Sequence, residues 1–211
     1  MFAVPGMSTP LPRSGRYRER IVALAEQLLA GCARAERALD FGCGDGWFAE
    51  QFVARGLTDQ VIGAEVRVRA GSPIRPVLFD GQLLPFGDGV FELTYAIDVL
   101  HHSESPEKAI TELLRCTRDR FLLKDHTYEG PAGWVALAML DELGNRRFGV
   151  PSPHAYQKRW EWNAWIERAG FELERMIHPA PCHSGALGAL TNRFQFVAVW
   201  RRAAPRLPSR V

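Results

Sequence analysis

The chain has 211 residues, 46% hydrophobic and 24% charged, with a formal net charge of +2. That is an ordinary soluble globular composition, long enough for one domain with a real core, and it excludes a broad basic footprint for nucleic acid. The four cysteines, Cys32, Cys43, Cys116 and Cys182, form no CxxC pair, so zinc-site spacing is missing and a reduced, cytoplasmic protein with free thiols is expected. The start, "MFAVPGMSTPLP", lacks the basic and apolar regions of a signal peptide, and no apolar run reaches the length of a membrane span.

Residues 1–14 are rich in proline and serine and read as a flexible segment. Ile21, Leu24, Ala25, Leu28 and Leu29 then follow i, i+3, i+4, i+7, i+8, the buried stripe of an amphipathic helix, and Gly31 is placed to end it. "RALDF" reads as a strand, "GWFAEQFVARG" as a helix, and "QVIGAE" and "RPVLFD" as strands. In "FELTYAID" the alternation of Phe91, Leu93, Tyr95 and Ile97 marks another strand. "SPEKAITELLRC" is a helix with Ser105 as cap, Pro106 in the first turn and Glu107 complementing the dipole. "RFLLKD" is the next strand. Residues 126–170 carry two helices and a Pro-broken loop. "FELERMI" and "RFQFVAVWR" are the last strands, the final one alternating at Phe194, Phe196, Ala198 and Trp200.

Strand–helix alternation implies a parallel sheet with helices on both faces, and the final pair implies an antiparallel last strand. The expected fold is thus α/β and Rossmann-like, with seven mostly parallel strands. One domain spans 15–201, with a lid or substrate-side insertion at about 126–157. Residues 202–211 read as a flexible basic tail. The arginines of that end, Arg201, Arg202, Arg206 and Arg210, are a solvated terminus or, as the minority reading, an arm for nucleic acid.

The motif that carries chemistry is "LDFGCGDGWF", with glycines at 42, 44 and 46. Open parallel sheets bind ligands beyond the carboxyl ends of their strands, where this turn falls. A dinucleotide fingerprint needs a glycine at 47, and Trp47 stands there; a phosphate-binding loop needs GK[ST], which is missing. Asp40 ahead of the glycines would repel a pyrophosphate but suits a ligand carrying an ammonium group.

"LDFGCGDG" resembles the first motif of class I S-adenosylmethionine-dependent methyltransferases, and "AIDVLHHSESPEKAITELLR" resembles the segment after the fourth strand in the type 11 branch. The likeness is specific from about Arg16 to Asp125 and weaker beyond. It implies an S-adenosylmethionine site. Asp40, Gly42, Cys43 and Gly44 form the glycine loop, and Glu65, 19 residues past Gly46, takes the ribose hydroxyls. Val66 packs on the adenine, Asp80 with Gly81 meets the adenine amino group, and Ile97 lies at the methionine end. Asp80 has a second reading, as cap of the turn at Gly81. Glu92 departs from the family's usual Asp without chemical consequence, and the extended, basic "EVRVRAGSP" shifts the adenine wall.

Methyl transfer is an in-line displacement governed by positioning, and a general base matters when the acceptor is a hydroxyl. The candidate bases are His101, His102 and His126, read at strand carboxyl ends. His102 ranks first and His126, beside Asp125, second; helix-starting histidines that bond only their loop are the bland alternative. Asp125–His126 is a ligand pair without a third partner at fixed spacing, so no metal site is expected. The resemblance puts acceptor binding after the fifth strand and in the first helix. There "GPAGWVALAML" is either a core helix or the wall of an apolar pocket. Trp162, Trp165, Ile166 and Ala169 form a core stripe, while His154, Tyr156 and Trp160 fall off it and are placed to face a ligand. No [DN]PP[YFW] follows the fourth strand, so DNA is not the expected partner. A small-molecule acceptor is, and the chain is compatible with a homodimer. The alternatives are methylation of RNA or protein, or a catalytically inactive cofactor-binding accessory.

Overall fold

A computed structural model describes residues 15–67, 74–145 and 153–204. The segments 1–14 and 205–211, residues 68–73 of the basic stretch and residues 146–152 of the expected lid lie outside the described residues. Helix α1 (Arg16–Leu29) is followed by β1 (Ala35–Phe41), α2 (Trp47–Ala54), β2 (Thr58–Glu65), β3 (Val77–Leu78) and β4 (Phe91–Ile97). A 3₁₀ turn (Leu100–His102) leads to α3 (Pro106–Cys116), β5 (Thr117–Tyr128), α4 (Pro131–Asn145) and β6 (Gln157–Lys158). The chain closes with α5 (Glu161–Arg168), β7 (Phe171–Ile177), α6 (Gly185–Thr191), a second 3₁₀ turn and β8 (Gln195–Arg202).

The sheet runs β3-β2-β1-β4-β5-β8-β7, and β6 pairs beside β5 off that path. Strands β1 to β5 are parallel, and β8 is antiparallel to both β5 and β7. The expected mostly parallel α/β sheet with an antiparallel last strand is therefore present, with β6 as an added two-residue strand. The last strand is not at the edge: β8 inserts between β5 and β7, which leaves β7 outermost.

Two apolar layers sandwich the sheet. On one face α1 and Phe52 of α2 cover Ala38, Leu93, Tyr95, Leu122, Val197 and Val199. On the other, α3 and α5 cover Leu39, Phe41, Phe121, Phe196, Ala198 and Trp200. The predicted stripe of α1 is buried at every position. The alternation read in β4 fails at its start. A register shift between Phe91 and Leu93 turns Phe91 to the α3 face, while Leu93, Tyr95 and Ile97 face α1. Phe194 likewise precedes β8, in the 3₁₀ turn, and packs with Leu137 and Tyr156 in a third cluster.

Several boundaries differ from expectation. Strand β5 runs three residues past Asp125, so His126 lies inside the strand rather than after it. At the two ends of segment 126–157 the chain lies in the sheet, Gln157 and Lys158 pairing with Thr127 and Tyr128. Arg202 belongs to β8 rather than to a tail; its guanidinium donates to the carbonyls of Leu114, Thr117 and Arg118. Ser105 stands at the start of α3 but makes no capping side-chain hydrogen bond, and Pro106, having no N–H, removes one donor that would need it.

Candidate active site

Three left-handed glycines turn the chain from β1 into α2, with φ of 70° at Gly42, 56° at Gly44 and 74° at Gly46. A side chain at Gly42 would be strained by that φ and would collide with Val99 Cγ2. Gly42→Ala is therefore expected to destabilise the fold by about 2 kcal/mol, read by urea unfolding. Cys43 is buried, and its sulfur lies 2.6 Å from where a Cβ on Gly63 would sit, so β2 needs a glycine opposite it.

Glu65, at the end of β2, reaches back across this turn. Its Oε2 accepts from Gly44 N at 3.0 Å and its Oε1 from Val66 N at 2.9 Å. Each oxygen keeps a second lone pair, so a pair of vicinal hydroxyls can still bond the same carboxylate. Val66 is 58% exposed, an unusual setting for a valine at the end of a central strand. The Gly81 turn lies against it, a Cβ on Gly81 falling 3.5 Å from Val66 Cγ1. Asp80 in that turn is exposed, and its Oδ1 accepts from the backbone N–H of Leu83 and Gln82, which lowers its pKa. Its capping role is thus realised, and it sits beside Val66 at the same rim.

Asp40 supplies the carboxyl group at the floor. It is 2% exposed, and Oδ2 has no hydrogen-bond partner among the described residues. Tyr95 lies beside it, yet its hydroxyl also lacks a hydrogen bond of good geometry. Burial drives the Asp40 pKa up to about 8; Tyr95 and Arg18 pull it down, and Glu65 and Asp45 push it further up. Arg18 is spent mainly on Asp45, at 2.8 Å, which ties α1 to the glycine turn. A buried, unpaired carboxylate at the head of a glycine turn is costly unless a cation meets it.

Beyond Ile97, itself buried, lies a second polar cluster that the sequence reading missed. Asp98 is a non-glycine residue at φ 52°. Its Oδ2 accepts from Tyr17 Oη at 2.8 Å, and its Oδ1 pairs with Lys124. Lys124 is fully buried in β5 and also donates to Tyr17 Oη at 2.5 Å and Gln195 Oε1 at 2.6 Å. All three ammonium protons are thereby placed, and α1, β4, β5 and β8 are joined at one point. Burial raises the Asp98 pKa, but Lys124 and His126 outweigh it and the net direction is down. The available signal was a lysine inside the apolar strand "FLLKDH", since a lysine cannot be buried there without partners.

The histidines divide. His101 is 1% exposed, with Nδ1 2.6 Å from Asp125 Oδ1. His126 donates its backbone N–H to the same oxygen at 2.7 Å, and its Nδ1 lies 3.5 Å from Asp125 Oδ1 and 3.8 Å from Asp98 Oδ1. Burial, then Lys124, hold its pKa below the usual value. His102 ends the 3₁₀ turn, partly exposed, its ring 4.1 Å from that of His101. Tyr156 stacks on both His101 and His154. Trp160 packs instead at the α3 face and His183 stacks on Tyr17.

This sheet order, with a glycine turn after β1 and acids at the ends of β1 and β2, defines a Rossmann-like cofactor fold. A sequence model of the methyltransferase-domain family matches residues 13–176. The chain belongs to the class I S-adenosylmethionine-dependent methyltransferases. It is 30% identical over 161 residues to the tRNA U34 carboxymethyltransferase of Methylococcus capsulatus, a match covering 69% of this chain and 47% of that one. It is 32% identical over 123 residues to an uncharacterized methyltransferase of Mycolicibacterium vanbaalenii, covering 52% and 46%. The chain thus spans about half the length of these curated relatives. Among solved structures, an S-adenosylmethionine-dependent methyltransferase from Mesorhizobium loti superposes with a TM-score of 0.65 at 18% identity, covering 89% of this chain and all of that one. That likeness speaks for the fold. No helix among the described residues is long and apolar enough to cross a membrane.

Proposed function

We propose that the chain transfers a methyl group from S-adenosylmethionine to a small-molecule acceptor. The observation that carries this reading is Asp40, a buried carboxylate with an unpartnered oxygen beside three left-handed glycines. It fits the cofactor's ammonium group, and Glu65 fits the ribose hydroxyls. Val66 and the Asp80–Gly81 turn form the adenine rim, with Cys43 and Gly44 as the backbone between. When bound, S-adenosylmethionine supplies a methyl group that is electrophilic without further activation. The residues around it bind, orient and exclude water. The Asp98–Tyr17–Lys124 cluster holds the chain just after Ile97 in its left-handed turn, so the methionine end meets a fixed wall. Helix α4 and Tyr156 form the acceptor side.

His102 is the base in this reading: it is half-buried and ends the 3₁₀ turn that follows β4. His102→Ala should lower turnover about 100-fold on a hydroxyl acceptor and leave cofactor affinity within twofold. Unchanged turnover would assign catalysis to positioning alone. The test of the whole reading is calorimetry with S-adenosylhomocysteine, followed by label transfer from S-adenosylmethionine into fractionated metabolites. Binding without transfer to any fraction would favour an accessory protein.

A second reading, transfer to tRNA, rests on the 30% identity to the tRNA U34 carboxymethyltransferase. It requires RNA binding that weakens steeply with salt, which filter binding at 50 and 200 mM salt distinguishes.

A further inference from the structure

The cofactor pocket leaves one group of side chains unexplained: His101, Asp125 and His126. Each offers a ligand atom, and the three atoms lie within 4.8 Å of one another. Sequence spacing supplies only the Asp125–His126 pair. The 3₁₀ turn after β4 brings the third member, His101, against Asp125.

We propose that His101, Asp125 and His126 form a binding site for a divalent transition-metal ion of the zinc class. Asp125 Oδ1 already takes two donors, His101 Nδ1 and His126 N. Its other oxygen, Oδ2, is buried in a residue of 0% exposure and has no hydrogen-bond partner among the described residues; nor has His126 Nδ1. A plain histidine–aspartate pair leaves Oδ2 without a donor and His126 Nδ1 at 3.5 Å from Oδ1, too far for a good hydrogen bond. One cation satisfies both.

Lys124 is the nearby cation, but its three donors go to Tyr17, Asp98 and Gln195. Its charge is matched by Asp98, so the groups that face the Asp125 carboxylate are the two histidines, at 2.6 and 3.5 Å. Two imidazoles and one carboxylate suit zinc, iron, cobalt or nickel better than magnesium or calcium. Metal–ligand bonds of about 2.1 Å let ligand atoms stand at most about 4.2 Å apart, so the group needs only a small side-chain adjustment. Three protein ligands leave one coordination position open, the pattern of a catalytic rather than a structural site. The site lies at the carboxyl ends of β4 and β5, beneath Tyr156. That open position would take an oxygen or nitrogen of a small acceptor.

The test uses the full chain, stripped with chelator and free of S-adenosyl cofactor. Titration with Co²⁺ should give one ion per chain with visible d–d absorption, displaced by Zn²⁺. His126→Ala and His101→Gln should each weaken Co²⁺ binding at least about tenfold. His178→Ala, outside the group, should leave it unchanged. No absorption change up to millimolar Co²⁺ would overturn the site, as would undiminished binding in both group variants or loss in His178→Ala. The wild-type spectrum decides the matter even if a variant fails to fold. A failure of the methyltransferase reading would show separately, as absent S-adenosylhomocysteine binding to the metal-free chain.

Discussion

Asp40→Asn is expected to weaken S-adenosylhomocysteine binding by at least about 30-fold at pH 8 while raising the melting temperature of the cofactor-free protein. The two signs are opposite because one carboxylate is responsible for both. Thirtyfold corresponds to ~2 kcal/mol, the middle of the range for a hydrogen bond to a charged group. The stability effect follows from linkage. Asp40 has a folded pKa of about 8 against a reference of 3.8. Between those values the folded chain holds a proton that the unfolded chain gives up. Stability therefore falls as pH rises through that window, by up to about 1.4 kcal/mol per pH unit for this group, and levels off above pH 8. Asparagine removes the titration and with it the penalty. In the wild type at pH 7, pairing with an ammonium group should release close to one proton per site. Calorimetry in buffers of different ionisation enthalpy measures that number, and thermal melts from pH 5 to 9 measure the rest. Proton release that persists in Asp40→Asn would remove Asp40 from the cofactor's partners.

Glu65→Ala is expected to abolish measurable cofactor binding and to lower stability, by about 2–4 kcal/mol in the cofactor-free chain. Here the signs agree. The carboxylate is already engaged with Gly44 N and Val66 N, so its loss orphans two N–H groups of the glycine turn before any cofactor is considered. Glu65→Gln should keep part of the fold stability, because an amide oxygen accepts from one of these donors. It should still bind the cofactor at least about tenfold more weakly, since a bidentate acceptor for two hydroxyls is gone. Urea unfolding and calorimetry on the two variants separate the structural share from the ligand share. The contrast with Asp40 is physical. Asp40 is buried with an unpartnered oxygen, whereas both oxygens of the buried Glu65 already accept from the turn they stabilise.

Much of the fold was legible because its signals are local. The i, i+3, i+4 stripe from Ile21 to Leu29 and the strand–helix alternation follow from the period of each element and need no partner to be read. The misreadings fall where a tertiary partner intervenes. Phe91 changes face because a bulge breaks the period of two. His126 lies within β5 because Gln195 of β8 pairs with it, and Gln157 and Lys158 extend that strand to Tyr128. Arg202 joins β8 because Phe171 of β7 pairs with it, and the carbonyls of Leu114, Thr117 and Arg118 accept from its guanidinium.

The sites show the same division. By itself the sequence determined the glycine turn, the acids at the ends of β1 and β2 and the exclusion of a dinucleotide, because these depend on residue type at short spacing. Only the tertiary structure decided which groups are paid for by partners. It leaves Asp40 buried with an unpartnered oxygen, turns Asp80 to capping its own loop, and surrounds Lys124 with Tyr17, Asp98 and Gln195. It also brings His101 to Asp125 across a separation of 24 residues. Burial and long-range neighbours set whether a charge is paired, and neither is encoded in the spacing of nearby residues.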